Sequence, residues 1–168
     1  GRIEYLYDAA GIKLRQTFYK GSSHSLDKIT DYIGNFIYET KPSEINLKTI
    51  LTDEGRLVPK AGGGYDYEYF IKDHLGNTRL TVQDSSGLAA IKQENHYYPF
   101  GMVLGGQSYQ ASTGYTKNDY LYNGKEMQDE LGLDWYDYGA RFYDAQIGRF
   151  MTQDRFAEKY LDLSPYHY

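Results

Sequence analysis

An aspartate followed within a few residues by a glycine recurs along this chain, and it sets where the backbone can reverse. The signal stands at Asp8-Ala9-Ala10-Gly11, Asp31-Tyr32-Ile33-Gly34, Asp53-Glu54-Gly55 and Asp73-His74-Leu75-Gly76. It returns at Asp84-Ser85-Ser86-Gly87 and Asp129-Glu130-Leu131-Gly132. The first four begin at positions 8, 31, 53 and 73, so they lie 23, 22 and 20 residues apart. An Asp carboxylate accepts hydrogen bonds from nearby backbone N–H groups, and Gly takes positive φ without steric cost. A period of this length holds two short strands and their turns, which is one hairpin unit. The spacing therefore predicts an all-β fold of consecutive antiparallel hairpins.

The segments between turns alternate as strands do. Ile3, Tyr5 and Tyr7 share one face, with Glu4 and Leu6 on the other. Ile12, Leu14 and Phe18 are opposed by Lys13, Arg15 and Thr17. The clearest hairpin runs from Tyr65 to Gln83, turning at Asp73–Gly76. Tyr65, Tyr67, Tyr69 and Ile71 line one face of its first strand, and Asp66 and Glu68 the other. A longer strand is expected over Leu88–Tyr98, ended by Pro99-Phe100-Gly101. Loops are expected over Lys20–Leu26, Glu39–Asn46 (which contains Pro42) and Gly105–Asp119, the last as the most mobile segment. Asn123-Gly124 predicts a two-residue hairpin turn. Near the end, Asp154 predicts the cap of a short helix over Arg155–Leu161, with Phe156 and Tyr160 on one side.

Leu, Ile, Val and Phe make up only about 21% of the 168 residues, near the roughly 20% at which a highly charged chain is expected to be disordered. Tyrosine redresses this with 20 residues, each able to bury a ring while its hydroxyl stays hydrogen-bonded. The tyrosine ladder at 65, 67 and 69 is accordingly read as the buried face of its sheet. The alternative is an exposed ladder that stacks on sugar rings.

A formal net charge of −5 argues against nucleic acid or an anionic membrane surface as the main partner. No apolar run reaches the roughly 18–20 residues of a membrane span. Gly1-Arg2-Ile3-Glu4 has neither the basic nor the apolar region of a signal peptide. A leading Gly is what tag removal leaves, so the chain is expected to be a fragment. With 0 Cys there are no disulfides, cysteine-ligated metals or cysteine nucleophiles.

Several motifs carry a family resemblance. Tyr5-Leu6-Tyr7-Asp8-Ala9-Ala10-Gly11 resembles the YD repeat. Asp73-His74-Leu75-Gly76-Asn77-Thr78-Arg79 and Tyr97-Tyr98-Pro99-Phe100-Gly101 resemble elements of Rhs-type proteins. Asn123-Gly124-Lys125-Glu126, Leu131-Gly132-Leu133, the run from Trp135 to Asp144 and Gly148-Arg149-Phe150 resemble the Rhs repeat-associated core. The resemblance covers essentially the whole chain: residues 1–60 as YD-type hairpin repeats and 61–168 as a C-terminally incomplete core region. The His after the motif Asp is similar to forms common in Bacteroides-like bacteria. The resemblance implies a ribbon of hairpins wound into a hollow shell that encloses a C-terminal toxin or effector. It also implies an extracellular or cell-surface location. The chain ends before the Asn-Asn-Pro and Asp-Pro-x-Gly elements associated with self-cleavage, and Asp154-Arg155 lacks the proline. No self-cleavage aspartate is carried over to any position here.

The residues themselves show no catalytic, cofactor or metal set, and none is assigned. Asp134 and Asp137, three apart, fall on opposite faces of a strand and do not converge. His24, His74, His96 and His167 lack metal-ligand spacing. There is no G-x-S-x-G elbow. Gly62-Gly63-Gly64 lacks the Lys-Ser/Thr of a phosphate loop. The expectation is a non-enzymatic structural fragment without cofactor, partnered by the rest of its parent shell and the effector, with cell-surface glycans or proteins as further candidate partners, and prone to self-association by edge pairing or by face-to-face packing of Tyr-rich sheets. The alternative is a surface adhesin or carbohydrate-binding module built from the same hairpins.

Overall fold

The computed structural model describes residues 1–42, 44–111 and 114–168. Ten strands follow one another as β1 (Arg2–Tyr7), β2 (Lys13–Lys20), β3 (Ser25–Ile33), β4 (Phe36–Lys41), β5 (Glu44–Leu51), β6 (Gly55–Pro59), β7 (Tyr65–Lys72), β8 (Thr78–Ser85), β9 (Leu88–Glu94) and β10 (Tyr109–Gln110). They form one sheet in sequence order, each strand hydrogen-bonded to the next. A second sheet holds β11 (Glu126–Gln128), β12 (Trp135–Asp137), β13 (Phe142–Asp144) and β14 (Arg149–Phe150), again in sequence order. The fold is all-β and made of consecutive antiparallel hairpins, as the turn spacing predicts. Among the described residues helix is limited to single 3-10 turns. The C-terminal one spans Ala157–Lys159, shorter than the expected Arg155–Leu161, and Asp154 Oδ1 accepts from Phe156 N at 2.8 Å before it.

The turns show why the sequence reverses where it does. At the first hairpin the Asp8 carboxylate accepts from Ala10 N at 2.9 Å and Ile12 N at 2.8 Å, while Gly11 takes φ +83°. Asp73 repeats this on Leu75 N and Asn77 N, both at 3.0 Å, with Gly76 at φ +82°. Two expected turns differ. Asp31 lies within β3 and accepts from Arg15 Nε at 2.5 Å, leaving the reversal to Gly34 and Asn35. At the Asp53 turn, Thr52 Oγ1 does the work by accepting from Gly55 N at 3.1 Å. The stretch 39–46 is a tight hairpin between β4 and β5 rather than a loop; Ser43 lies outside the described residues. In the expected loop 105–119, Tyr109–Gln110 pairs with β9, and Ser112 and Thr113 lie outside the described residues. The strand expected to run to Tyr98 stops at Glu94.

By contacts the chain divides into two units. The first comprises Gly1–Phe70 and Thr81–Ile91. Its registers define one face unambiguously. Gln16 pairs with Thr30, Tyr32 with Ile37, Ile37 with Thr49, and Leu51 with Arg56, which in turn pairs with Glu68. Gln16, Thr30, Ile37, Thr49, Arg56 and Glu68 are all buried on this face. The tyrosine ladder stands on the other face and is open: Tyr65 is 41%, Tyr67 60% and Tyr69 44% exposed. This corrects the expectation that the ladder is buried. Alternation identifies two faces but not which one is covered, and here the covered face of β7 is the one that carries Asp66 and Glu68. Arg56 Nε donates to Glu68 Oε2 at 2.8 Å, with both side chains 3% exposed or less. Asp66 likewise accepts from Gln83 Nε2 at 2.6 Å and from Lys60 Nζ at 2.8 Å.

The second unit comprises Ile71–Leu80 and Lys92–Tyr168. It holds an aromatic core of Leu121, Tyr122, Tyr136, Tyr143 and Ala145, with Tyr97, Met102, Val103, Met127, Tyr138 and Phe150 packed against it. Tyrosine does supply a core, but in this unit and from residues 97–143. Burying each such ring contributes on the order of 1.5–3 kcal/mol, and well-oriented ring pairs roughly 0.5–1.5 kcal/mol more.

Candidate functional site: the motif cluster

The motif residues of the second unit meet in space. Asn123 and Gly124 both take positive φ, at +51° and +66°, and Lys125 N donates across them to Tyr122 O at 2.9 Å. This is the tight turn their sequence predicts. It presents Asn123 N to Asn77 Oδ1 at 2.8 Å, and Asn77 Nδ2 donates to Asp73 Oδ2 at 2.9 Å. The Asp73 turn and the Asn123 turn are thus joined through one amide side chain. Asn123 Nδ2 also donates to the Tyr138 hydroxyl at 2.9 Å and to that of Tyr168.

The segment Tyr97–Gly101 is held the same way. Its Tyr97 hydroxyl donates to Thr78 O at 2.6 Å. Two of its carbonyls receive phenols from the second sheet: Tyr143 Oη donates to Phe100 O at 2.8 Å and Tyr136 Oη to Gly101 O at 3.0 Å. Gly101 sits at φ +91°, and a Cβ there would lie 2.5 Å from the Tyr122 ring. Only glycine fits. Arg79 lies over the Tyr97 ring at 5.5 Å, and Arg141 over Phe150 at 3.8 Å while it pairs with Asp154 at 3.0 Å. A buried amide network that no motif signalled completes the arrangement. Gln93 Nε2 donates to Asn118 O at 3.0 Å, Gln93 Oε1 accepts from Asn118 N at 2.9 Å, and Asn95 Nδ2 donates to Thr78 O at 3.2 Å. Buried amides that satisfy both donors and acceptors favour one arrangement of the chain.

Burial pushes the phenols of Tyr97, Tyr120, Tyr136 and Tyr143 far above the usual tyrosine range. Those of Tyr122 and Tyr168 are pushed up to about 12, by burial first and then by neighbouring tyrosine hydroxyls. The Asp73 carboxyl is held below its ordinary value. Burial opposes this, but the hydrogen bonds from Asn77 and Leu75 outweigh it.

The histidines are not brought to one place. His24 and His74 sit in separate turns, and His167 Nδ1 lies 2.7 Å from Ser164 O. His96 Nε2 bonds Glu94 Oε1 at 2.9 Å while Nδ1 faces Arg79 at 3.2 Å. Because a guanidinium only donates, Nδ1 is the acceptor and the ring proton sits on Nε2. Asp137 accepts from Gly139 N at 2.7 Å and Asp134 lies at φ +53°, so both serve local turns. Among the described residues no group of three or more His, Asp or Glu is placed to hold a metal ion. Among the described residues no helix is long and apolar enough to cross a membrane. The cluster joins backbone segments to one another, and that is the chemistry its geometry supports.

The fold has known counterparts. The crystal structure of TcdB2-TccC3 superimposes with a TM-score of 0.74 at 20% identity, covering 91% of this chain and 8% of that one. The Photorhabdus luminescens Tc holotoxin pore gives a TM-score of 0.77 at 19% identity, covering 98% of this chain and 8% of that one. These likenesses show the fold: consecutive antiparallel hairpins of the Rhs/YD type, as in those Tc toxin structures. No protein-family profile matches the chain. In sequence it is similar to salivary gland surface protein 1 of Aedes aegypti, 36% identical over 102 residues, which is 61% of this chain and 3% of that protein. The chain spans a small fraction of each of these proteins.

Proposed function

We propose that this chain is a non-enzymatic structural segment of an Rhs/YD-type shell, whose parent protein carries a toxin or effector C-terminal to it. The observation that carries the reading is the convergence of Asp73, Asn77, Tyr97–Gly101, Asn123, Tyr136 and Tyr143 into one hydrogen-bonded cluster, in a chain whose strands follow one another as sequential hairpins. Polar groups that elsewhere do chemistry are spent here on fixing chain segments. The likeness to TcdB2-TccC3 supports the shell, and so does membership of its counterparts in multi-part toxins. A secreted or surface location fits the Tc toxins and the salivary gland surface protein. The partners in this reading are the remaining hairpins of the parent shell and its effector, with no cofactor.

Limited proteolysis of the parent protein tests the encapsulating role. The segment C-terminal to this chain should resist protease in the intact parent and be digested when Gly101→Val disrupts the cluster. Equal digestion of both would overturn the reading. The absence of catalysis is tested on the purified chain by following its mass. Time-dependent cleavage at one bond, abolished by a single Asp→Asn change, would show an autoprotease instead.

A further inference from the structure

We infer that Asn123-Gly124 is a site of spontaneous deamidation that the fold holds latent, so that modification follows opening of the motif cluster and makes that opening permanent. Of the six asparagines in the chain, only Asn123 precedes a glycine. A glycine has no side chain to hinder the approach of its amide nitrogen to the preceding side-chain carbonyl. The reaction needs water and no other reagent. The Gly124 nitrogen bonds to Asn123 Cγ and gives up its proton, the Cγ–Nδ2 bond breaks, and ammonia leaves with that proton. Water then opens the succinimide at either carbonyl, giving aspartate or isoaspartate. No electron is transferred. Asn123 is half-buried, so water reaches it.

Three features of the closed turn oppose the first step. The attacking group is occupied, because Gly124 N donates to Leu121 O at 3.2 Å. It also points the wrong way. A five-membered ring needs Gly124 N on the same side of the Cα–C bond as Asn123 Cβ. At φ +51° and ψ +25°, tetrahedral geometry sets the two nearly opposite each other. The leaving amide is held as well: Asn123 Nδ2 donates to the hydroxyls of Tyr138, at 2.9 Å, and Tyr168. Ring closure therefore requires rotation about ψ of Asn123, which carries Gly124 away from Leu121. The anchor of the turn comes from far along the chain. Asn123 N donates to Asn77 Oδ1 at 2.8 Å, and Asn77 Nδ2 to Asp73 Oδ2 at 2.9 Å. The contacts that join the two motif turns are thus the ones that arrest the chemistry, and the reaction rate follows the fraction of chains in which they are open. Isoaspartate routes the main chain through the former side chain and adds a carbon to a two-residue turn. The pair of positive φ angles on which that turn depends is lost, and the joint to Asn77 does not re-form.

The test holds the whole chain at neutral pH, native and in guanidinium chloride above its unfolding midpoint, beside a synthetic peptide of residues 120–127. Peptide mapping by mass spectrometry with isoaspartate detection follows Asn123. The unfolded chain should deamidate at the peptide's rate, and the native chain at least about tenfold more slowly. Asn77→Ala removes the anchor, and Tyr138→Phe removes one partner of the leaving amide. Each should speed the native reaction roughly fivefold, in step with hydrogen exchange of the Gly124 amide, while Tyr109→Phe on β10 changes neither. A variant that unfolds outright reaches the peptide's rate, and the native and unfolded wild-type chains then decide. Native deamidation as fast as the peptide's would overturn the proposal, as would an unfolded chain modified first at another asparagine. Variants that speed Gly124 exchange but not deamidation would separate the chemistry from the opening, and would also overturn it.

Discussion

Two glycines with similar φ separate conformational need from packing. Gly11 and Gly101 lie at φ +83° and +91°, but a Cβ at Gly11 meets nothing within 4 Å, whereas at Gly101 it meets the Tyr122 ring. Gly11→Ala is expected to cost about 1 kcal/mol, the strain of a left-handed residue. Gly101→Ala is expected to cost about 2–4 kcal/mol, because overpacking is added to that strain. Urea denaturation of the two variants measures the difference. Asp73 makes a second residue-scale prediction. Its carboxyl is held below the usual range, so its contribution is present above the unfolded carboxylate pKa near 4 and is lost as pH falls through its lower folded value. Asp73→Asn should remove that part of the acid sensitivity, read from stability measured between about pH 5 and pH 2.

At the scale of elements, the pairing of β6 with β7 rests on a buried charge pair, Arg56 with Glu68. Breaking one partner leaves an uncompensated charge. Glu68→Ala is therefore expected to cost about 3–5 kcal/mol, whereas Arg56→Met combined with Glu68→Leu should come close to neutral. A double-mutant cycle by thermal denaturation distinguishes this from simple loss of packing. The hairpin period was legible in the sequence because turns are local: Asp8 and Asp73 reach N–H groups two and four residues on. Asp31 has the same sequence signature and misleads, because a cross-strand Arg15 competes for its carboxylate. No spacing rule reports such a competitor, which lies 16 residues away.

For the whole molecule, the concentration of raised phenols predicts an alkaline limit. A tyrosine whose folded pKa is raised stabilises fully below its unfolded value near 10 and loses that contribution as pH rises toward the folded value. Tyr122 and Tyr168, at about 12, place the onset of loss between about pH 10 and 12. Exposed tyrosines ionise without unfolding, but the core phenols ionise only when the aromatic core opens, so circular dichroism should be lost in one cooperative step together with the last part of the rise in tyrosinate absorbance. Complete ionisation of the tyrosines without loss of structure would contradict this. A second prediction concerns association. β1 is the first strand in the sheet order, and an edge strand presents unpaired backbone groups. Sedimentation across a hundredfold dilution should show concentration-dependent self-association, and a monomer throughout would refute it.

The sequence by itself determined the strand-and-turn grammar of this protein. Asp–Gly turns and period-two alternation act over a few residues, and the resembling motifs marked the segments from Asp73 to Phe150 that come together. Only the tertiary structure decided which side of each strand is covered. Tyr67 and Glu68 are neighbours on one strand, and intrinsic hydrophobicity favours burying the first. The structure buries Glu68, because Arg56 on the paired strand neutralises it and satisfies its oxygen. It leaves Tyr67 open, while Tyr122, Tyr136 and Tyr143 build the core of the second unit. A face is chosen by partners brought from elsewhere in the chain, and that information is not local to the strand that carries it.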